Sequence, residues 1–298
     1  SGEGLGGMSR AFHDFLRDRI VDQRYACNSR PVVVIHWEST EFTYTSEKLF
    51  PIIDAAKGAG IDTFVLDDGW FGKRDDEKSG LGDWFVNEQK LKGGLDPIIE
   101  RCKQNGLKFG LWFEPEMVSE DSDLFRTHPD WAFGKQGIEP VRGRWQLVLD
   151  FTKKEVVDYV FDCMSKILRA HDISYVKWDM NRCITEAFST SLPAHRMGEV
   201  MHRYVLGVYD LCERLSKEFP QVFFEGCSSG GGRFDAGMLY YSPQIWTSDL
   251  TDAWERTKIQ WGTSIAYPLS SMSCHVSACP NCHLKRITPL STRGAVAS

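Results

Sequence analysis

Short apolar runs rich in β-branched and aromatic residues recur along the chain, and most of them end at a polar residue. Each run is too short for a core helix and has the continuous apolar character of a strand that is buried on both faces. Eight strands are predicted in this way, at residues 31–37, 63–66, 108–113, 146–149, 175–178, 222–224, 245–247 and, more weakly, 271–277.

Amphipathic stretches lie between most of these runs and predict helices at residues 46–59, 156–170, 199–219 and 253–264. Strands that alternate with helices are typical of a parallel sheet covered by helices. Eight such units in about 250 residues favour an α/β fold of the (β/α)8 TIM barrel type, with a doubly wound open sheet as the alternative.

The barrel is assigned to residues 31–298, which form one large domain. Residues 1–30 form a lead-in segment, in which residues 8–20 have helical spacing. We expect the barrel to be truncated in or before its last helix, because the chain stops at Ser298.

Acids follow several predicted strands directly. Asp67 and Asp68 end the second strand, Asp179 ends the fifth and Asp249 ends the seventh. In a (β/α)8 barrel the active site lies at the carboxyl ends of the strands. Glycoside hydrolysis needs one ionised carboxylate and one protonated carboxyl group, and Asp179 and Asp249 fit these two roles.

Aromatic residues stand near the same strand ends and predict a rim for a sugar pocket. Sugar hydroxyls need acceptors such as carboxylates, whereas sugar C–H faces pack on aromatic rings. The four candidates for this rim are Trp37, Trp70, Trp112 and Trp178.

Other acids at strand ends are interpreted as helix caps, because Asp is strongly preferred at N-caps. Asp150 and Asp252 both precede predicted helices. Thr152 with Glu155, and Asp252 with Glu255, have the spacing of a capping box.

Lys177 stands two residues before Asp179, on the same face of the strand, so its charge would hold a carboxylate ionised. Glu114 ends the third strand and is either a ligand contact or an internal brace for Arg144 or Lys177. Bracing is the favoured interpretation.

Two short motifs each have a structural interpretation and a ligand-binding interpretation. The glycine-rich run 227–233 could cradle a phosphate, but it lacks the residues of a P-loop, and a close approach of backbone to a sugar explains it equally well. Residues 279–283, CPNCH, match haem-attachment spacing, and Cys274 and His275 enlarge them into a candidate metal cluster. A loop after the last strand is the favoured interpretation.

Composition narrows the function class. A net charge of -6 and a pI near 5.8 give no reason to expect nucleic-acid binding. The sequence contains no apolar run long enough to span a membrane and no signal-peptide pattern. Nine cysteines, an odd number, several of them in apolar runs such as those around Cys102, Cys163 and Cys212, favour reduced thiols in a cytoplasmic protein.

Six motifs in order and spacing resemble the α-galactosidases of glycoside hydrolase family 36. They are LDDGWFG at 66–72, GLWFEPEMV at 110–118, GRWQLVLD at 143–150, KWDMNR at 177–182, EGCSSGGGRFD at 225–235 and WTSDLTDA at 246–253. The resemblance implies a retaining enzyme that releases terminal α-linked galactose from oligosaccharides such as raffinose and melibiose.

By this resemblance Asp179 is the nucleophile and Asp249 the general acid/base. The resemblance also implies a substrate subsite formed by Trp37, Asp67, Asp68, Trp112, Arg144, Lys177, Asn181, Cys227 and Gly230. No metal and no organic cofactor are expected. Family members carry a β-sandwich before the barrel and a small β domain after it, and many are tetramers; neither flanking domain is present in this chain, and a homo-oligomer is expected for the full-length protein.

Two departures and two alternatives accompany the resemblance. His36 stands where the family more often has Asn, and the segment 279–283 is richer in cysteine than usual. A galactosyltransferase of the raffinose-synthase type would use the same two acids, and a catalytically silent galactose-binding fragment would retain the residues without turnover.

Overall fold

The computed structural model describes residues 3–26, 28–135 and 137–298. The strands among these residues are β1 (Val33–Ile35), β2 (Thr63–Leu66), β3 (Lys108–Phe113), β4 (Met117–Val118), β5 (Leu147–Val148), β6 (Tyr175–Trp178), β7 (Phe223–Gly226), β8 (Gln244–Trp246) and β9 (Met272–Ser273).

The α-helices are α1 (Gly4–Phe15), α2 (Gln23–Ala26), α3 (Trp37–Thr40), α4 (Ser46–Gly58), α5 (Asp96–Gln104), α6 (Asp123–Thr127), α7 (Lys154–Ala170), α8 (Val200–Glu218), α9 (Ala236–Tyr241), α10 (Ala253–Ser264) and α11 (Leu290–Ala297). A π-helical segment (Leu16–Ile20) and three 3-10 segments (Pro129–Trp131, Ala194–Glu199, Leu269–Ser271) complete the helical structure of the described residues. None of these helices is both long and apolar enough to cross a membrane.

The chain divides into two compact units, and the domain boundary at residue 30 stays a prediction. One unit is Val33–Val222, and the other combines Ser1–Val32 with Phe223–Ser298. The first is called the 33–222 unit, and the second, which includes residues 1–32, is called the 223–298 unit.

The 33–222 unit is built on parallel strands in the order β1, β2, β3, β6. β2 and β6 are buried along their whole length, and β3 is buried except at Lys108. Strands buried on both faces need helices on the outside, and α7 supplies a continuous apolar stripe that includes Val156, Val160, Met164 and Ile167. Burial of each such side chain contributes roughly 1.5–3 kcal/mol.

The fourth predicted strand does not join this parallel set. β5 pairs in antiparallel fashion with β4, Leu147 opposite Val118 and Val148 opposite Met117. A two-residue apolar strand can pair with whichever edge lies beside it, and here a second short strand follows β3 after a turn of three residues. The parallel α/β fold is confirmed, and the antiparallel placement of residues 146–149 is a correction to the predicted set of eight.

The 223–298 unit contains the parallel strands β7, β8 and β9, with Glu225 opposite Gln244 and Ile245 opposite Met272. The predicted lead-in helix belongs to this unit. Ser9 Oγ of α1 donates to the Ile265 carbonyl at 2.6 Å, and His13 Nε2 lies 2.7 Å from the Ser264 carbonyl oxygen, so α1 is fixed to the end of α10.

The helix caps follow the sequence in one case and depart from it in the other. Asp252 caps α10, because its Oδ1 accepts from the backbone N–H groups of Trp254 and Glu255. The predicted capping box at Thr152 is wrong: α7 begins at Lys154 with Lys153 at the N-cap, and the Thr152 hydroxyl donates to Asp150 Oδ1 instead.

Candidate active site

The predicted site residues are divided between the two units. The 33–222 unit carries Trp37, Asp67, Asp68, Trp112, Arg144, Lys177, Asp179 and Asn181, and the 223–298 unit carries Cys227, Gly230 and Asp249.

Asp67 leaves the carboxyl end of β2 and forms a buried ion pair with Lys177. The Lys177 Nζ lies 2.8 Å from Asp67 Oδ2, and both side chains are less than 10% exposed. β3 lies between the strands that carry the two residues. Lys177 thus forms an ion pair with Asp67, a partner that the spacing of Lys177 and Asp179 did not predict.

Asp68 has a cation of its own. Arg74, from the loop after β2, donates to both carboxylate oxygens, with 2.9 Å between Nη2 and Oδ2 and 3.0 Å between Nε and Oδ1. Burial raises the pKa of the Asp68 carboxyl above its ordinary value although Arg74 acts in the opposite direction. Adjacent carboxylates are tolerated here because each has a separate counter-charge.

His36 supports the carboxyl end of β2 through a hydrogen bond with the Asp67 backbone. Its imidazole is fully buried, and Nε2 accepts a hydrogen bond of 3.0 Å from the Asp67 backbone N–H. Nδ1 lies 2.7 Å from Thr40 Oγ1. Burial lowers the pKa of His36 to about 4, so the ring is neutral at physiological pH. The residue that departs from the family pattern is therefore an internal support of Asp67.

Asp179 follows β6 and receives hydrogen bonds on both of its carboxyl oxygens. Oδ2 accepts from Trp112 Nε1 at 3.2 Å and from Asn181 Nδ2 at 2.7 Å. Oδ1 accepts from the Met180 backbone N–H at 2.9 Å. Three N–H donors are thus directed at this one carboxyl group.

Glu114 is completely buried and is linked to Asp179 through Asn181, which donates to both acids. Its Oε1 accepts from the Asn181 backbone N–H, and its Oε2 accepts from Gln146 Nε2 at 3.0 Å. The predicted bracing role is kept, but the hydrogen-bonded partners are Gln146 and Asn181 rather than Arg144 or Lys177.

The predicted aromatic rim is wrong for two of its four members. Trp70 and Trp178 are core side chains: Trp70 Nε1 donates to the Trp112 carbonyl at 2.9 Å, and Trp178 Nε1 donates to Glu116 at the same distance. Trp112 is buried as well, with its indole N–H directed to Asp179. Trp37 is half-buried at the start of α3, edge-on to Phe42. Trp178 lies in β6, where successive side chains point to opposite faces, and Trp70 lies in the loop after β2. Sequence alone does not tell which side of either residue meets a pocket.

Arg144 differs in burial from the other charged site residues of its unit. It is exposed, has a left-handed backbone with φ 50°, and approaches Glu77 at 3.5 Å.

A cavity of about 420 Å³ lies at the amino ends of β3 and β6, beside Lys108 and Ser174. None of the predicted site residues lines this cavity.

In the 223–298 unit, the glycine-rich run packs on the backbone next to Asp249. Gly230 has φ +84°, and a Cβ there would lie 2.5 Å from the Asp249 nitrogen and from Ser248 Cα. Only glycine fits this approach. Cys227 Sγ lies 3.8 Å from Asp249 Oδ1 and accepts from the Gly230 N–H at 3.4 Å, so both residues are brought together with Asp249.

Arg256 and Arg74 are buried cations that the sequence patterns did not single out. Arg256, fully buried in α10, donates to the Ser248 carbonyl at 2.9 Å and to the Ser273 carbonyl at 2.5 Å, and so fixes the residue before Asp249. An arginine in an amphipathic helix gives no sign that it points inward. Arg74 stands in a run of charges, KRDDEK at 73–78, that is typical of a solvated loop.

The segment 279–283 forms a loop after β9, as favoured. Asn281 is buried and holds the turn by accepting from the backbone N–H groups of His283 and Leu284. Among the residues that the structure describes, no group of three or more His, Cys, Asp or Glu side chains has the arrangement of a metal site.

Comparison with known protein families identifies the family of this chain. The model of the Melibiase family matches residues 1–298. The chain belongs to the Melibiase family. Within it, Mel36A, an α-galactosidase of Lactobacillus acidophilus, is 52% identical over 297 residues, which is 100% of this chain and 41% of that protein.

Solved structures agree with the Melibiase assignment. The family-36 α-galactosidase AgaA of Geobacillus stearothermophilus superposes with a TM-score of 0.96 at 49% identity, over 99% of this chain and 41% of AgaA. An α-galactosidase of Lactobacillus brevis gives a TM-score of 0.97 at 51% identity, over 99% of this chain and 40% of that one. The resemblance to family 36 is confirmed, and the chain spans about two fifths of the length of these relatives.

AgaA has been seen with oligosaccharides. One variant of it forms a complex with raffinose and carries an Asp-to-Asn substitution, and another forms a complex with stachyose and carries an Asp-to-Ala substitution. The two substituted aspartates of AgaA are separated by the same number of residues as Asp179 and Asp249 here.

Proposed function

We propose that the protein hydrolyses terminal α-linked galactose from oligosaccharides of the raffinose type, with retention at the anomeric carbon. The observation that carries the proposal is the set of three N–H donors on Asp179, which fix its carboxyl group at the end of a buried strand. The spacing shared with the substituted aspartates of AgaA supports the choice of Asp179 and Asp249 as the reacting pair.

The reaction would run in two displacements. A carboxylate oxygen of Asp179 attacks the anomeric carbon while Asp249 protonates the glycosidic oxygen, so the bond to the leaving sugar breaks and a galactosyl ester forms on Asp179. Asp249 then removes a proton from water, the water oxygen attacks the same carbon, and the ester bond breaks to release galactose. Double displacement calls for carboxyl groups about 5–5.5 Å apart.

The substrate subsite is proposed from the remaining residues. The paired carboxylates of Asp67 and Asp68 would accept hydrogen bonds from galactose hydroxyls. Trp37 and Trp112 would supply apolar surface, and Arg144, Lys177, Asn181, Cys227 and Gly230 would complete the wall. We further propose that the full-length protein is a cytoplasmic homo-oligomer whose parallel strands close into a (β/α)8 barrel.

The test is replacement of the nucleophile. Asp179→Gly should lower turnover of a nitrophenyl α-galactoside by about 10⁴-fold or more, because the covalent step is lost. Azide should restore turnover by occupying the space of the missing carboxylate, with galactosyl azide of inverted configuration as the product. Asp150→Gly, which removes a buried Asp that is hydrogen-bonded to Thr152 and Ser189, is the control and should not respond to azide.

The outcomes are distinct. Unchanged turnover in Asp179→Gly would exclude Asp179 as the nucleophile. Galactosyl transfer to sucrose in place of hydrolysis would assign a synthase, and galactose binding without turnover by the parent protein would assign a silent binding protein.

A further inference from the structure

Glu114 is a buried acid that has no role in the two displacements proposed above. It follows β3 directly, is fully buried, and is acted on by the negative charge of Asp179. Its two oxygens accept from the backbone N–H of Asn181 and from the side-chain amide of Gln146.

Asn181 is held between two acids. Its backbone N–H is directed to Glu114, and its side-chain Nδ2 donates to Asp179 Oδ2 at 2.7 Å. A displacement of Glu114 would therefore move Asn181, and Asn181 would carry that movement to one oxygen of Asp179. This chain of contacts makes Glu114 a support of Asp179 without any contact to substrate.

The charges that face Glu114 make a second negative charge costly. Asp179 repels it, and Arg74, the cation that acts on it, is engaged by both oxygens of Asp68. Arg182 lies beside Gln146 but directs Nη1 to the carbonyl oxygens of Val141 and Gln146. Burial, followed by the like charge of Asp179, raises the pKa of Glu114 to about 8.

Gln146 supplies an independent sign. Its side-chain oxygen Oε1 is buried and has no hydrogen-bond donor among the residues that the structure describes. A half-turn of the amide would bring that oxygen to the position 3.0 Å from Glu114 Oε2 that its nitrogen now holds. A protonated Glu114 could donate to it there, whereas an ionised Glu114 could not.

We propose that Glu114 is a positioning residue that works as a neutral carboxylic acid, fixing Asn181 and Gln146 without adding a second negative charge beside Asp179. The proposal rests on the role given above to Asp179. When the galactosyl ester forms, the charge of Asp179 disappears and Glu114 becomes more acidic, so its proton is retained most firmly when Asp179 must stay ionised.

The test compares Glu114→Gln with Glu114→Ala in the full chain, using an activated aryl α-galactoside over a range of pH. An amide mimics a neutral acid, so Glu114→Gln should keep kcat/KM within about 10-fold of the parent at about pH 6, and its activity should fall at higher pH than that of the parent. Glu114→Ala should lose about 100-fold in kcat with a smaller change in KM, because Asn181 and Asp179 lose their alignment. Glu116→Gln changes a buried acid two residues away that binds Trp178 and Tyr204, and its alkaline limb should match the parent.

A measurement without turnover separates this proposal from the proposed function. The infrared difference between parent and Glu114→Gln should show the carbonyl stretch of a protonated carboxylic acid at about pH 6, which disappears at alkaline pH. In Asp179→Asn, which removes the like charge, the same band should disappear at a lower pH. Absence of the band at about pH 6 would overturn the proposal even in an active enzyme, and so would a Glu114→Gln profile identical to that of the parent.

Discussion

His36 gives a direct link between burial and the stability of the strand ends. The imidazole carries no proton on Nε2, because that atom accepts from the Asp67 N–H. Asp67, Lys177 and Lys90 are the charged groups that act on the ring, but burial dominates and lowers the pKa of His36 from 6.5 to about 4. Protonation would cost the bond to Asp67.

The sign and size of the effect follow from linkage. As pH falls below 6.5, His36 in the unfolded chain binds a proton, whereas in the folded chain it stays neutral until about pH 4. Between pH 6.5 and about pH 4, proton binding to His36 therefore favours the unfolded state increasingly as the pH falls. The folded state has its full free energy of unfolding, as far as His36 is concerned, only above pH 6.5. A pKa difference of about 2.5 units corresponds to about 3 kcal/mol.

The assay is urea unfolding followed by tryptophan fluorescence at about pH 7 and about pH 4. The parent should lose about 3 kcal/mol more free energy of unfolding between the two pH values than His36→Gln, which keeps an acceptor but does not titrate. His195→Gln, at an exposed position, is the control and should follow the parent. Equal losses in the parent and in His36→Gln would refute the reasoning.

Two further predictions concern close contacts in the site. Gly230→Ala should lower kcat by about 100-fold, because its Cβ would lie 2.5 Å from Ser248 Cα, whereas Gly262→Ala on α10 has open space and should leave kcat unchanged; a steady-state assay of both variants decides. Arg74→Met should cost about 3–5 kcal/mol in urea unfolding, because Asp68 is left buried without its cation. Adding Asp68→Asn to Arg74→Met should recover part of that loss, and additive losses would contradict the pairing.

The strands show where sequence patterns suffice. The predicted strands at 63–66, 108–113 and 175–178 are found at the same residues, because apolar character on both faces leaves a strand only one place, inside a parallel sheet. The pattern does not encode pairing, however. Residues 146–149 have the same character, and β5 within them pairs in antiparallel fashion with β4, a strand of two residues that no periodicity could mark.

The site shows a similar division. Asp67 and Asp179 directly follow β2 and β6, as the sequence predicts for parallel strands that bring their last residues to one edge. Their partners were not predicted, since Lys177 reaches Asp67 past an intervening strand, and that contact depends on register rather than on separation along the chain. The inward orientation of Arg74 likewise depends on the fold, because nothing distinguishes it from its charged neighbours in sequence.

The two buried ion pairs have a consequence for how such chains can change over time. Both charges are buried in each pair, Asp67 with Lys177 and Asp68 with Arg74. Loss of one member would leave the other as a buried charge without a counter-charge. Single substitutions at these four positions should therefore be rare among active descendants, and tolerated changes should arrive as exchanges of both members together. A relative that keeps one of these acids but lacks its cation is therefore expected to have the same fold without catalytic activity.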